Sequence, residues 1–281
     1  MSVNQSELAD WLKKLYPEFS GCHIECHKSI DSTNTYAKNL LAAAGDVTQY
    51  NHAIITADTQ TAGRGRIGRT FVSPADTGVY VSLVVTPKGC ITRPALITAW
   101  TAVAVCRAIK NVYGTDVKIK WINDLYVNND GKLKKCAGIL TEGVTDCNTG
   151  LVNSAVIGIG INIKPSAQIQ NSDAKAIAGY LSGAPDTTDV LVSQARFVAE
   201  IAGQVFHVLE EPAAKVIKEY KSKLFLLGQT LTVHPLIGDD KTAYTATAID
   251  IDENAGLIVR LPDGTTKTLS SGEVTLHHCF E

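Results

Sequence analysis

Residues 120–142 read KWINDLYVNNDGKLKKCAGILTE. The runs VKIKW (117–121), DLYV (124–127) and CAGILTE (136–142) are short and rich in β-branched and aromatic residues. Asp130-Gly131 between the last two supplies a tight turn, so the pattern predicts a β-hairpin inside a larger sheet. Such a hairpin brings the Asn123-Asp124 region and Lys135 to the same end of the sheet. A lysine ammonium there can hold a carboxylate and later a phosphate ester oxygen. Asp124 can orient an incoming amine or bind a metal ion. The same residues also fit a surface salt bridge beside a hairpin, and Asn128, Asn129, Lys132 and Lys134 belong to the solvated turn.

The rest of that sheet is read from its neighbours. HAIITADT (52–59) and GVYVSLVVT (78–86) are β-rich, and NSAVIGIGINI (153–163) has no polar alternation, which predicts a central strand covered on both faces. NTYAKNLLAAAG (34–45) reads as a helix capped by Asp31, Ser32 or Thr33 and closed by Gly45. RPALITAWTAVAVCRAIKNVYG (93–114) reads as a long buried helix ended by Gly114. An amphipathic helix from Glu7 to Leu15 carries Leu8, Trp11, Leu12 and Leu15 on one stripe. The chain is helical in pieces from about Ser172 to Phe225, broken by Pro185 and Pro212, with apolar stripes (Val192, Phe197, Ile201, Val205, Val208) that read as core. After Gly228 five short strands follow (TLTVHP, TAYTATAIDI, GLIVRLPDG, TTKTL, VTLHH), a small β-barrel. The expected fold is α+β, with a mixed or antiparallel central sheet and helices over 1–226 and a small C-terminal β-barrel over 227–281.

QTAGRGRIGRTFVSP (60–74) joins the two β-rich runs. Its arginines offer planar forks suited to carboxylate and phosphate oxygens, and Gly63, Gly65 and Gly68 let backbone N–H groups approach a ligand. The string also fits a flexible basic loop or an RNA-binding Arg/Gly segment. The net charge of -2 leaves no excess of Lys and Arg for general polyanion binding, so the cluster is local equipment. GIGIN (158–162) lacks the rest of a dinucleotide fingerprint, but Asn162 stands just past a buried run, where a purine edge can be read. Seven cysteines, an odd number, and a charged amphipathic start point to a reduced, cytoplasmic setting. The longest apolar stretches read as too short for a membrane span.

DSTN (31–34), QTAGRGRIGRTFVSP, KWINDLYV, KKCAGILTE and GIGINI occur in the order and approximate spacing seen in biotin protein ligases. The chain resembles that family from about Ile30 to Ile163, and its β-rich end is similar to the family's C-terminal domain. About thirty residues precede DSTN, too few for a helix-turn-helix module, so the form expected is one without a DNA-binding domain.

The resemblance implies a class II synthetase-like catalytic domain that uses ATP and Mg²⁺ to convert biotin to biotinyl-5′-AMP. The biotinyl group then passes to a lysine of a carboxylase's biotin carboxyl-carrier domain. It implies that Ser32, Thr33, Asn34, Gln60, Gly63 and Gly138 contact biotin. Arg64, Gly65 and Arg66 would form a loop closing over the biotin carboxylate and the α-phosphate, and Arg69 would help hold the ATP phosphates. Lys135 would contact the carboxylate and α-phosphate, while Trp121, Asn123 and Asn162 would lie near the adenine. Asp124 matches the acidic group tied to metal binding or acceptance of the lysine. Arg64, Arg66, Lys135 and Asp124 are thus the implied catalytic set, and a homodimer fits the family.

A lipoate ligase would share this logic, but Ser32-Thr33-Asn34 suits a ureido ring better than a long apolar chain. Retention of Arg64, Arg66 and Lys135 argues against a silent biotin-binding protein. Ile122 replaces the usual proline and Cys136 a frequent leucine, while Phe71 and Val72 stand where a tryptophan and an aromatic are common. That last exchange puts biotin affinity in question. Cys22, His23, Cys26 and His27, with His277, His278 and Cys279, make zinc conceivable, though the spacing reads better as an edge strand.

Overall fold

A computed structural model of the chain describes residues 3–87, 91, 93–145, 149–182, 193–235 and 242–276. Helix α1 (Gln5–Leu15) starts on Asn4, whose side chain accepts from the Ser6 and Glu7 amides, and buries Leu8 and Leu12. Strand β1 (Ile24–Ile30) leads through helix α2 (Thr33–Ala43) to β2 (Ile54–Gln60), which pairs parallel with β1. Strand β3 (Gly78–Val85) returns antiparallel to β2.

Helix α3 (Pro94–Tyr113) ends on Gly114 at φ 72, a left-handed position that costs glycine little. Strands β4 (Lys118–Lys120), β5 (Asp124–Asn129), β6 (Lys132–Thr145) and β7 (Val152–Asn162) complete one sheet in the order β1-β2-β3-β7-β6-β5-β4. Asp130 and Gly131 both have positive φ (54 and 79), the geometry expected for the β5–β6 turn. β7 is the middle strand of the seven and is buried along most of its length, as its unalternated sequence predicts.

The sheet separates two cores. On one face α2 packs Ala37 and Leu41 against Ile55, Val84 and Val156. The larger core on the other face is built from α1, α3, α5 (Gln194–Glu210) and α6 (Ala213–Lys223), numbered after the four-residue α4 (Ala167–Gln170). By length and composition α3 is apolar enough to cross a bilayer, contrary to the sequence reading. Its residues from Thr98 to Ile109 are nearly all buried against α5, α6 and the sheet, so the fold itself accounts for that apolarity.

Strands β8 (Thr230–His234), β9 (Tyr244–Ile251), β10 (Leu257–Arg260), β11 (Thr266–Leu269) and β12 (Glu273–Leu276) form a separate antiparallel sheet in the order β11-β10-β9-β8-β12. The five strands are those read from the sequence. Alternate residues such as Leu231, Val233, Ala246 and Ala248 point inward, the period-2 pattern of a one-sided sheet. This sheet is tied to the rest of the fold by the Trp121 indole N–H, which donates to the Ala255 carbonyl at 2.8 Å, and by an ion pair between Lys221 of α6 and Asp250.

Some expectations change. Helix α2 ends in extended backbone at Ala44, and Gly45 makes no left-handed cap. Pro185 and Val192 lie outside the described residues, as do His277, His278 and Cys279 of the conceivable zinc set. β1 is the sheet edge, as expected; His23 just before it and His27 on it both approach Glu25, at 2.6 and 3.2 Å.

Candidate functional site

Ser32 caps α2, its Oγ accepting from the Thr35 amide at 3.4 Å, so the next residues face inward at the helix start. Ser32, Thr33 and Asn34 are 2%, 4% and 3% exposed, unusual burial for three polar residues in a row. They survive there because they are bonded. Gln60 Oε1 accepts from Thr33 N (2.8 Å) and Oγ1 (3.1 Å), and its Nε2 donates to Ser73 Oγ at 2.8 Å. Ser82 Oγ lies 2.7 Å from Thr33 Oγ1 and 2.6 Å from Asn34 Oδ1. Asn34 Nδ2 donates to Glu142 Oε2 at 2.9 Å and the Leu140 carbonyl at 3.2 Å.

The floor beneath them is glycine. A Cβ on Gly158 would lie 2.2 Å from Asn34 Oδ1, and one on Gly160 would lie 2.5 Å from Phe71 Cε1. Gly138, the cross-strand partner of Gly160, lies beside both Phe71 and the Lys135 ammonium. At Gly158 and Gly160 a side chain would displace Asn34 or Phe71, whereas at Gly138 a Cβ would make ordinary contacts at 3.5 Å.

The Gly/Arg loop is a narrow hairpin. Gly65 N–H donates to Arg69 O (2.7 Å) and Phe71 N–H to Gly63 O (2.9 Å). A Cβ on Gly63 would meet Phe71 O at 2.3 Å, so that glycine shapes the stem. At the tip Ile67 and Gly68 both adopt positive φ, 56 and 72. Each arginine has its own protein acceptor. Arg64 reaches Glu142 (3.1 Å), Arg66 donates to Asn123 Oδ1 (2.7 Å) and the Gly272 carbonyl (2.9 Å), and Arg69 pairs with Glu273 (2.5 Å). The C-terminal sheet therefore holds two of the three.

Lys135 Nζ lies 2.7 Å from Asp124 Oδ1, which the hairpin brings together as expected. The contact is an ion pair not aligned as a hydrogen bond, and no other described donor completes Oδ1. Backbone bonds to Ile177 and Gly179 fix Lys135 in place. Asn123 is anchored by Nδ2 to the Ile139 carbonyl at 3.0 Å, and the buried Tyr220 hydroxyl donates to the Ile122 carbonyl at 3.1 Å. The Trp121–Ile122 peptide is cis. Asn162 Oδ1 is buried with no hydrogen-bond partner among the described residues.

These groups surround a cavity of about 720 Å³. One end is lined by neutral polar groups (Ser32, Thr33, Asn34, Gln60), with Arg64 beside them, its charge taken by Glu142. Its other end holds Arg66, Arg69, Lys120 and Lys135 against Asp124 and Glu273. Of the residues singled out in the sequence, Ser32, Thr33, Asn34, Gln60, Arg64, Gly65, Arg66, Arg69, Trp121, Asn123, Asp124, Lys135, Gly138 and Asn162 all line it. Gly63 stands behind the wall as a stem residue.

Sequence reasoning missed Glu142, which ties Lys38 (2.7 Å), Asn34 and Arg64 together. Burial raises a carboxyl, but the hydrogen bonds from Lys38 and Asn34 and the charges of Lys38 and Arg64 outweigh it. Glu142 is held below its ordinary range. It also missed Lys120, Ser82 and the wall supplied by Glu273–Thr275. Glu142 lay in a quoted motif, but only the sheet order shows which helix it faces.

Two family models match: the biotin/lipoate A/B protein ligase family over residues 26–162 and the biotin protein ligase C terminal domain over residues 233–276. The chain belongs to the biotin protein ligase family. Among relatives, the bifunctional ligase/repressor BirA of Bacillus subtilis is 34% identical over 182 residues, 65% of this chain and 52% of that protein. The match thus spans about half that relative's length. The biotin--[acetyl-CoA-carboxylase] ligase of Paracoccus denitrificans is 29% identical, covering 83% of this chain and 92% of its own. Biotin protein ligase from Aquifex aeolicus, solved with biotin and ATP, superposes with a TM-score of 0.68 at 22% identity, covering 91% of this chain and 98% of that one. In this ligase-family chain, both matched regions contribute to the cavity wall.

Proposed function

We propose that the chain is an ATP-dependent biotin protein ligase, which makes biotinyl-5′-AMP and transfers biotin to a lysine of a carboxylase's carrier domain. The observation that carries this reading is the division of one cavity into a neutral hydrogen-bonding end and a cationic end. A neutral ring bearing a carboxylate, laid beside a nucleotide's phosphates, needs that division. The Paracoccus relative's name agrees with it.

At the neutral end the Ser32 hydroxyl, which donates to no described residue, meets the ureido oxygen, with Thr33 and Gln60 beside it. Asn34 acts from beneath, its amide already bonded to Glu142 and Leu140. Lys135 takes the carboxylate and the α-phosphate, and Arg66 moves from Asn123 and Gly272 toward those anions. The carboxylate oxygen attacks the α-phosphorus, the bond to the β-phosphate breaks, and pyrophosphate leaves with the electron pair. Cations fixed beside the developing charge lower this barrier without reorganisation. Asn162, with its unpartnered Oδ1, accepts from the adenine amino group. The closed Gly/Arg loop then keeps water from the mixed anhydride.

In the second step the neutral amine of a carrier lysine attacks the acyl carbon. The bond from that carbon to the phosphate oxygen breaks, and AMP leaves with the electron pair and the proton the amine gives up. That amine has an ordinary pKa of about 10.4 and must arrive neutral. Asp124 orients it after Lys135 turns to the phosphate. Among the described residues no group of three His, Cys, Asp or Glu makes a metal cage. Asp124 already faces Lys135, so Mg²⁺ would come with ATP, held by phosphates and water. No step here depends on a protein-bound ion. The cytoplasm, where biotin carriers and ATP meet, is the proposed setting.

Incubation with ATP, Mg²⁺ and either biotin or lipoate tests the reading by mass spectrometry of the acyl-adenylate. Biotinyl-5′-AMP is expected. Adenylate from lipoate alone would overturn it, and none from either would favour a silent binder.

A further inference from the structure

Strand β4 ends on Lys120, and its register places Lys120 directly opposite Asp124 on β5. Ile119 between Lys118 and Lys120 is fully buried in the helical core, so alternation turns Lys120 to the opposite face, where it lines the cavity. An antiparallel Lys–Asp pair ordinarily forms an ion pair, but Asp124 Oδ1 is held by Lys135 instead. The other carboxylate nearby, Glu273, is held by Arg69.

The four cations at this end are therefore not equivalent. Arg66 has a hydrogen-bond acceptor, and Arg69 and Lys135 each an ion-pair partner, within 3 Å. Lys120 has no ion-pair or hydrogen-bond partner among the described residues, although it is only partly exposed. Holding an ammonium out of water without a partner is costly, so its retention calls for an anion that is not part of the chain. A bound anion takes Lys120 without breaking an existing pair, whereas any of the other three cations must first give one up.

We infer that Lys120 receives the β- and γ-phosphates of ATP and stabilises the departing pyrophosphate, and has no direct part in transfer of the acyl group. The inference rests on the ligase reading above. As the bond from the α-phosphorus to the bridging oxygen breaks, the electron pair stays on the pyrophosphate. The Lys120 ammonium donates to that oxygen or its neighbours, with no proton lost or gained. Lys135, at the other side of Asp124, keeps the carboxylate and α-phosphate. The two lysines flanking Asp124 thus divide the nucleotide between attacking and leaving sides.

Burial lowers the Lys120 pKa, an effect that Asp124 and Glu273 oppose and that Lys135 and Arg69 reinforce. A phosphate beside it reverses the depression. Nucleotide binding at a pH between the depressed and the restored Lys120 pKa is then accompanied by proton uptake, which a lysine outside the phosphate site would not show.

The test compares wild type with Lys120→Met and Lys120→Arg. Titration calorimetry with inorganic pyrophosphate needs no turnover and so stands apart from the assignment of biotin as substrate. Lys120→Met is expected to weaken pyrophosphate binding about tenfold or more, and Lys120→Arg to restore most of it, with the unfolding temperature little changed. In single turnovers Lys120→Met slows biotin- and ATP-dependent adenylate formation about 30-fold or more. Transfer from supplied biotinyl-5′-AMP to an acceptor amine stays within about twofold. Unchanged pyrophosphate affinity in Lys120→Met, or an equal loss in both half-reactions, would overturn the proposal. If wild type binds pyrophosphate through Lys120 but makes no biotinyl adenylate, the ligase reading fails and the anion site stands.

Discussion

Arg64 and Glu142, 78 residues apart in the chain, meet with Nη2 3.1 Å from Oε1. The same carboxylate accepts from Lys38 and Asn34, so one residue of β6 connects the Gly/Arg loop to the buried start of α2. Glu142→Gln keeps the shape and removes the charge. It is expected to raise the KM for biotin about tenfold, roughly 1.4 kcal/mol, while the KM for ATP changes little. Steady-state kinetics with each substrate varied in turn checks this.

The same carboxyl gives a pH prediction. Its folded pKa lies below the ordinary 4.5, so it adds stability above that value and loses it as pH falls through the folded pKa. Denaturation midpoints measured from pH 7 downward should fall less steeply in Glu142→Gln than in wild type below about pH 5. Parallel acid limbs would remove Glu142 from the account.

Gly158→Ala places a methyl 2.2 Å from Asn34 Oδ1. The backbone of the central strand cannot retreat, so Asn34 must move off Leu140 and Glu142. A stability loss of about 1–3 kcal/mol is expected, together with weakened biotin binding. Calorimetric unfolding and biotin titration measure the two effects.

How much of this was legible in the sequence depended on distance along the chain. The β5–β6 turn rests on Asp130 and Gly131, adjacent residues with a strong local preference, and the cap of α2 rests on Ser32 in the same way. The pairing of Lys135 with Asp124 followed from the hairpin alone. Glu142 and Lys120 were hidden because their roles come from the order of strands and from which partner each carboxylate chooses, not from local pattern. Gly272 and Glu273 were hidden for a related reason: Arg66 reaches across 206 positions to the C-terminal sheet, and Arg69 across 204. Phe71, noted as a departure, lies across the Gly138–Gly160 floor, so its size does bear on the ligand space.

Ile67 gives a fourth prediction. It is β-branched, 55% exposed and left-handed at φ 56, a conformation that disfavours such residues by roughly 1–2 kcal/mol. Glycine removes that cost but adds about 0.5–1 kcal/mol of unfolded-state entropy. Ile67→Gly should leave the unfolding temperature unchanged or slightly higher and slow the release of biotinyl-5′-AMP from the closed loop. Stopped-flow release of the adenylate is the check, and faster release would contradict the strain argument.

Arg66→Ala cuts the loop from both Asn123 and Gly272 at once. The expected phenotype is leakage: biotinyl-5′-AMP appears free in solution, and biotinylation spreads to amines that never dock on the protein. Trapping with free lysine-containing peptide measures it against wild type.

The central claim is that one cavity joins biotin to the α-phosphate of ATP under Lys135. Biotin-dependent exchange of labelled pyrophosphate into ATP reads that bond directly, in both directions and without any acceptor protein. The account predicts exchange that requires biotin and falls about 10²–10³-fold in Lys135→Met. Exchange supported by lipoate but not by biotin, or exchange unaffected by Lys135→Met, would contradict it.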